Sequence, residues 1–277
     1  MAQKLKTFAL AALAGAAMAI SASASAITLT NSAGSFANWG GFDWAENGSA
    51  VVDGFDATVL EGGSDTFDLT YFADAVSISA AGGGSIVGAT VGLLLGDYEY
   101  TIVAKLNETS TCTADNGFFC TTAEFELNSG SFEIYYDVAD NADLVAGTGL
   151  DDGILLIAGT LVVGGSGGFD ILTGGNSVLN AVITFTNSSF ISPDLINSVA
   201  ATTLQIGDNT TNWTPPTGIP DGGGTAVGIP ADSPALLLQA DGNQTFTATS
   251  VPEPGVLALL GVAMLGMAAT RRRKSVK

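Results

Sequence analysis

The chain contains no histidine among its 277 residues, and only eight lysines and arginines. Without imidazole it cannot assemble a Ser-His-Asp or Cys-His catalytic site, nor a histidine-ligated metal centre. What positive charge exists is confined almost wholly to the ends: Lys4 and Lys6 at the start, Arg271, Arg272, Arg273, Lys274 and Lys277 at the close, with Lys105 alone between them. All 27 acidic residues lie between Ile27 and Pro254, so removing both ends leaves one lysine against them, a net charge of −26. A field of that sign repels nucleic acid and anionic lipid at long range, and argues against a nucleic-acid partner. It suits a soluble extracellular polymer component or a recruiter of cations, with plain solubility as the simpler alternative.

Two cysteines are too few for a disulfide-built scaffold, and the length is ample to bury a core. Charged residues make up only 13% of the chain, while 36 glycines and many Thr, Ser and Asn are present. That balance favours an all-β body over a helical or disordered one.

The two ends read as addresses. Lys4 and Lys6 precede an apolar, Ala-rich run over 8–20 and a small-residue stretch over 21–26. Ala24-Ser25-Ala26 fits the small-x-small cleavage pattern of a secretory signal peptide, with Ile27 as the new N-terminus. The apolar run is short for a spanning helix, which needs roughly 20 residues. At the other end, Val251-Pro252-Glu253-Pro254 is followed by an apolar segment over 255–270 and then Arg271-Arg272-Arg273-Lys274. The basic cluster would hold that end on the cytoplasmic side of a membrane. A single-pass anchor accounts for the helix and the cluster but not for the two prolines, which fix φ and keep the segment extended and unpaired, as a processing enzyme requires.

This ordered tail resembles the PEP-CTERM sorting signal, the substrate mark of membrane enzymes called exosortases. The resemblance implies a Gram-negative bacterium that makes exopolysaccharide. It also implies export by the secretory machinery, transient inner-membrane anchoring through the C-terminal helix, exosortase cleavage near the motif, and delivery to the cell surface or extracellular matrix. Members are often rich in Asn, Ser and Thr and are thought to be glycosylated.

Between the ends, period-two patterns dominate and no long amphipathic helix is evident. Tyr98, Tyr100, Ile102, Ala104 and Leu106 point one way, with Asp97, Glu99, Thr101, Val103 and Lys105 opposite. A strand over 123–127 is followed by the turn signal Asn128-Ser129-Gly130 and a strand over 132–138. Further strands are expected over 51–60, 66–80, 85–95, 154–163, 178–186, 202–206, 235–239 and 245–249, and a long Pro- and Gly-rich loop over 213–230. The expected layout is a signal peptide over 1–26, an acidic single-domain β-sandwich or jelly-roll-like body over 27–250, and the sorting tail over 251–277, with helices only at the two ends.

Cys112 and Cys120 flank Asp115-Asn116-Gly117, a tight-turn signal, and in an exported chain a local disulfide closing that hairpin is the natural reading. Calcium is the metal the body is best equipped for: Asp137, Asp140 and Asp143, and Asp151-Asp152, form carboxylate-rich loops, but without EF-hand spacing, so solvated turns between strands are the favoured reading. The segment 164–170 brushes against a nonapeptide calcium repeat with its aspartate one place late. No carboxylate pair stands out for glycoside hydrolysis. Neither a catalytic residue nor a cofactor is assigned, and the chain is not expected to be an enzyme. Asn-x-Ser/Thr triplets begin at Asn47, Asn107, Asn187, Asn209, Asn212 and Asn243, as chance in such a composition also provides. Trp39, Trp44 and Trp213 are candidates for stacking on sugar, with the core as the alternative, favoured for Trp44.

Three short motifs carry a further resemblance: Trp39-Gly40-Gly41-Phe42-Asp43-Trp44, Tyr98-Glu99-Tyr100-Thr101, and the run from Leu236-Leu237-Leu238-Gln239 through Ala240-Asp241-Gly242-Asn243-Gln244-Thr245-Phe246. Together they look like the flocculation-associated branch of PEP-CTERM proteins, departing from it at Gly242. The resemblance implies a surface protein that promotes flocculation or biofilm cohesion by associating with exopolysaccharide or a cell-surface glycan. The alternatives are a calcium- or glycan-binding module and, further off, a carbohydrate-active enzyme.

Overall fold

A long run of β-branched and aromatic residues with alternating burial has one stable outlet, a sheet with one face hidden, and an antiparallel sheet this large must also deal with its own edges. The computed structural model describes residues 26–90, 98–207, 213–229 and 235–248. The signal peptide, the sorting tail and the helices expected at both ends lie outside these residues. Among the described residues no helix is long and apolar enough to cross a membrane.

The strands are β1 (Ile27–Asn31), β2 (Gly34–Trp44), β3 (Ser49–Asp53), β4 (Ser64–Ala80), β5 (Ser85–Thr90), β6 (Glu99–Asp115), β7 (Cys120–Asp137), β8 (Ile154–Leu161), β9 (Ser166–Asp170), β10 (Gly174–Thr186), β11 (Ile191–Ser192), β12 (Val199–Ile206), β13 (Gly218–Gly222), β14 (Thr225–Gly228) and β15 (Leu236–Thr247). All but β13 and β14 join one sheet, and Ala26–Ala248 make up one compact unit.

The sheet closes on itself. β2 and β3 lie end to end against β4, with Trp39 opposite Ala80, Trp44 opposite Ala75, Ser49 opposite Phe72 and Asp53 opposite Asp68. On their other side both pair with β15. β8 and β9 form a second interrupted strand in the same way, between β7 and β10. Antiparallel pairings then run from β2/β3 through β4, β6, β7, β8/β9, β10, β12 and β15 back to β2/β3. Closure pairs every strand of the ring on both sides, so free edges are left only to short strands such as β5 and β11.

The all-β expectation holds. The opposed walls of the ring pack on each other as the sheets of a sandwich do, but neighbours in space are neighbours in sequence, a meander in place of the Greek-key connections of a jelly roll. Tyr71, Ile102, Phe132, Leu161, Leu179 and Leu204 fill the interior, leaving a cavity of about 20 Å³. A second apolar layer lies outside the ring, where Val51, Phe72 and Val103 meet Leu150, Leu144 and Ile219. That layer explains why Glu99, Thr101 and Val103 are buried although the alternation of β6 predicts a wet face. Thr101 is satisfied there by donating its hydroxyl to the Leu150 carbonyl at 2.6 Å.

Several local expectations change. The expected turn at Asn128-Ser129-Gly130 lies inside β7, because Asn128 Nδ2 reaches back across the sheet to donate to Asn107 Oδ1 and Thr109 Oγ1 at 3.1 and 2.9 Å. The strand over 51–60 stops at Asp53, where Asp56 turns the chain by accepting from the amide and hydroxyl of Thr58. The loop over 213–230 contains the β13–β14 hairpin, turned by glycines at positive φ. The glycine-rich 164–170 segment holds a strand, β9, and the two short strands expected over 235–239 and 245–249 are one, β15. Strands β1 and β2 lie outside the expected set: the Trp-Gly-Gly-Phe-Asp-Trp of β2 lacks alternation, whereas the short Ile27-Thr28-Leu29-Thr30 of β1 does alternate and buries Ile27 and Leu29.

The disulfide is present, joining Cys112 and Cys120 at the tip of the β6–β7 hairpin. It closes a loop with a sequence separation of 8, worth about 2–3 kcal/mol in the chain-entropy treatment. Replacing both cysteines by serine is expected to lower stability by about that amount without altering the fold, read as a lower denaturation midpoint.

Candidate functional site

The three motifs spread along the sequence converge in space. β2 and β15 pair through Asp43–Asn243, Phe42–Gln244 and Gly41–Thr245. Phe42 then sits 4.9 Å from the Tyr100 ring and 5.1 Å from Trp44, and Trp39 lies 5.0 Å from Phe246. Trp39, Phe42, Trp44 and Tyr100 are fully buried. Trp39 and Trp44 therefore do not stack on sugar; they are the core of the ring's closure, and Trp39 spends its indole N–H on the Gly41 carbonyl at 2.8 Å. Trp213 is half-buried, donating to Ser49 Oγ at 3.1 Å.

The glycines of these motifs are fixed by the same packing. A Cβ on Gly41 would sit on the Gln244 carbonyl oxygen, and one on Gly242 would lie 2.7 Å from the Tyr71 hydroxyl and 3.2 Å from the Trp44 ring. The departure at Gly242 thus has a steric cause in this chain: Tyr71 and Trp44 occupy the space of any larger residue.

The proposed calcium ligands do not gather. Asp137 caps its own turn by accepting from the Ala139 amide, Asp143 accepts from Val145 and Ala146, and Asp151 accepts from Gly222 and Gly224 of the β13–β14 hairpin. Asp152 accepts from Asn141 Nδ2, and Asp140 is exposed. Among the described residues no group of three or more carboxylates or cysteines is placed to hold a metal ion. These aspartates act as turn acceptors, which is why they cluster in sequence without a ligand register.

Two buried glutamates were not singled out from sequence. Burial pushes the Glu108 carboxyl up to about 7, and it sits between Phe67 and Leu127 on neighbouring strands. Burial also pushes Glu99 up to about 7, against the hydrogen bonds it accepts from the Asn141 and Ala142 amides, with Asp140 and Asp137 adding repulsion. The two stand nine residues apart on β6, about 30 Å at strand rise, far beyond the roughly 5–9.5 Å that a carboxylate pair needs to work on one glycosidic bond.

Their titration has a definite sign. An unfolded glutamate titrates near 4.5, so between about 4.5 and 7 the folded chain holds more protons than the unfolded one. Stability contributed by these groups is complete below pH 4.5 and lost as pH rises towards 7. Glu108→Gln, which keeps the shape without the charge, is expected to raise stability at pH 8 by about 2 kcal/mol and to flatten the decline between pH 5 and 8. Thermal unfolding across that range checks it.

The outer face holds an open groove of about 670 Å³ over β4, β6, β7 and β8. Its floor is a row of side chains in register: Thr70 opposite Lys105, Lys105 opposite Ser131, Ser131 opposite Thr160. Asp68 and Asn107 line one side, with Asn107 Nδ2 donating to Asp68 Oδ1 at 2.8 Å. The hairpin contributes Ile219, Pro220, Asp221 and Val227 as a wall. The row joins four strands distant in sequence, so its only sequence-level trace is Lys105, the lone cation of the body.

A closed acidic body followed by Val251-Pro252-Glu253-Pro254, an apolar stretch and a basic cluster fits one class, the surface-directed sorting substrates. Residues 250–274 match the family model described as the PEP-CTERM protein-sorting motif, which marks the chain as an exosortase-dependent secreted surface protein. The match covers the tail and none of the body. No curated protein and no solved structure matches the chain.

Proposed function

We propose that the acidic body works outside a Gram-negative cell as a non-catalytic matrix protein. In this reading it associates with exopolysaccharide or a cell-surface glycan and promotes flocculation or biofilm cohesion once an exosortase has processed the tail. The sorting motif at 250–274 carries the reading, because it commits the chain to the surface. Support also comes from the net charge of −26 between Ile27 and Pro254, which keeps copies soluble and apart. Deleting the gene should slow floc settling while polysaccharide synthesis continues. The full chain should restore settling and a chain lacking 251–277 should not. Normal flocs in the deletion strain would contradict the proposal.

A further inference from the structure

We infer that the groove over β4, β6, β7 and β8 is a subsite for an uncharged polysaccharide chain, with Lys105 as its central hydrogen-bond donor. The inference rests on the proposed matrix role and adds to it a location and a ligand class. The volume of about 670 Å³ falls in the range of ligand clefts.

The chemistry of the lining selects the class. Every floor strand is paired on both sides within the ring, so no backbone edge is free to accept a peptide as an added strand. Recognition is left to side chains, and these alternate donors and acceptors: Lys105 Nζ and the Thr70, Ser131 and Thr160 hydroxyls on the floor, Asp68 and Asp221 at the margins. A sugar hydroxyl both donates and accepts, so a polyol satisfies such a row where a purely donating or purely accepting ligand does not. Ile219, Pro220 and Val227 on the hairpin wall offer an apolar surface to the C–H face of a ring. The body's charge disfavours a polyanion at long range, and one lysine against Asp68 and Asp221 leaves the groove lining at a net −1. A second outer groove of about 760 Å³, over Glu124, Glu126 and Asn176, lacks any cation in its lining. From β4 to β8 the floor is three strand spacings wide, about 14 Å, enough to engage more than one sugar unit.

Lys105 is the only side-chain amine between Ile27 and Pro254, which makes the test direct. The exported protein is labelled by reductive ¹³C-methylation, and Lys105→Gln assigns the Lys105 signal. The probes are the neutral and acidic fractions of the host's own exopolysaccharide, separated by anion exchange. The neutral fraction should shift the Lys105 signal and bind in co-sedimentation. Ser131→Trp, an exposed floor position, should weaken that binding at least tenfold while leaving the unfolding midpoint unchanged. Binding of the neutral fraction without a Lys105 shift, or untouched by Ser131→Trp, overturns the groove and leaves the matrix role standing. Tighter binding of the acidic fraction overturns the ligand class. No binding of either fraction overturns both the groove and the polysaccharide association.

Discussion

Gly41→Ala is expected to part β2 from β15 while β3 keeps its own pairing with β15, with a loss of about 4 kcal/mol or more, at the upper end of what single substitutions do. The reason is geometric. The new Cβ would fall on the Gln244 carbonyl oxygen, which belongs to the backbone of β15 and cannot rotate away. The only relief is to part β2 from β15, and only three residue pairs, Asp43–Asn243, Phe42–Gln244 and Gly41–Thr245, join those strands. Losing them opens the ring beside its most buried aromatics, exposing Trp39, Phe42 and Phe246 at about 1.5–3 kcal/mol for each large side chain uncovered. Gly228→Ala in β14, where the added Cβ meets nothing nearer than the Thr217 carbonyl at 3.9 Å, is the matched control and should stay within about 0.5 kcal/mol of the parent. Denaturant unfolding of the two variants decides the point. A Gly41→Ala protein as stable as the control would mean that β2 does not pair tightly with β15.

Glu253→Ala is expected to leave most of the chain unprocessed. Removing a charged side chain from a recognised site costs about 2 kcal/mol or more, which is about thirtyfold in the rate of a step that depends on it. Proline fixes φ and disfavours helix at the residue before it, so replacing Pro252 and Pro254 with alanine removes that local constraint and should act in the same direction. Neither change touches the body, so its unfolding should be unaltered. A variant that reaches the surface at the parental rate would show that the motif is not what the sorting enzyme reads. Full-length chain accumulating in the membrane fraction is the expected outcome, because the 255–270 segment and the basic cluster remain to hold it there.

What was legible in the sequence was local. The alternation around Tyr100 places Tyr98, Tyr100, Ile102, Ala104 and Leu106 inside, as found, and the turn at Asp115-Asn116-Gly117 with its flanking cysteines gives the disulfide. Misreadings arose where a partner far along the chain sets the environment. Glu99 and Val103 sit on the face that alternation leaves to water, yet the segments around Ala142, Leu150 and Ile219 cover that face. Trp39 looked available for sugar because nothing local reveals that β15 returns to cover it. Asn128-Ser129-Gly130 has turn composition, but its polar groups are satisfied across the sheet. The groove has no local signature either, since Thr70, Lys105, Ser131 and Thr160 meet only through register. The sorting tail is the reverse case, a signal read as a linear peptide and therefore written openly in the sequence.

The central claim is that this chain is a surface-directed sorting substrate whose acting part is the acidic closed sheet. The mass of the protein taken from the cell surface or culture medium, with sequencing of its terminal peptides, tests that claim most directly. The account predicts a chain that begins at Ile27 and ends at or close to Pro252-Glu253-Pro254, without the basic cluster. A surface protein that still ends at Lys277 would contradict it and leave the tail as a plain membrane anchor.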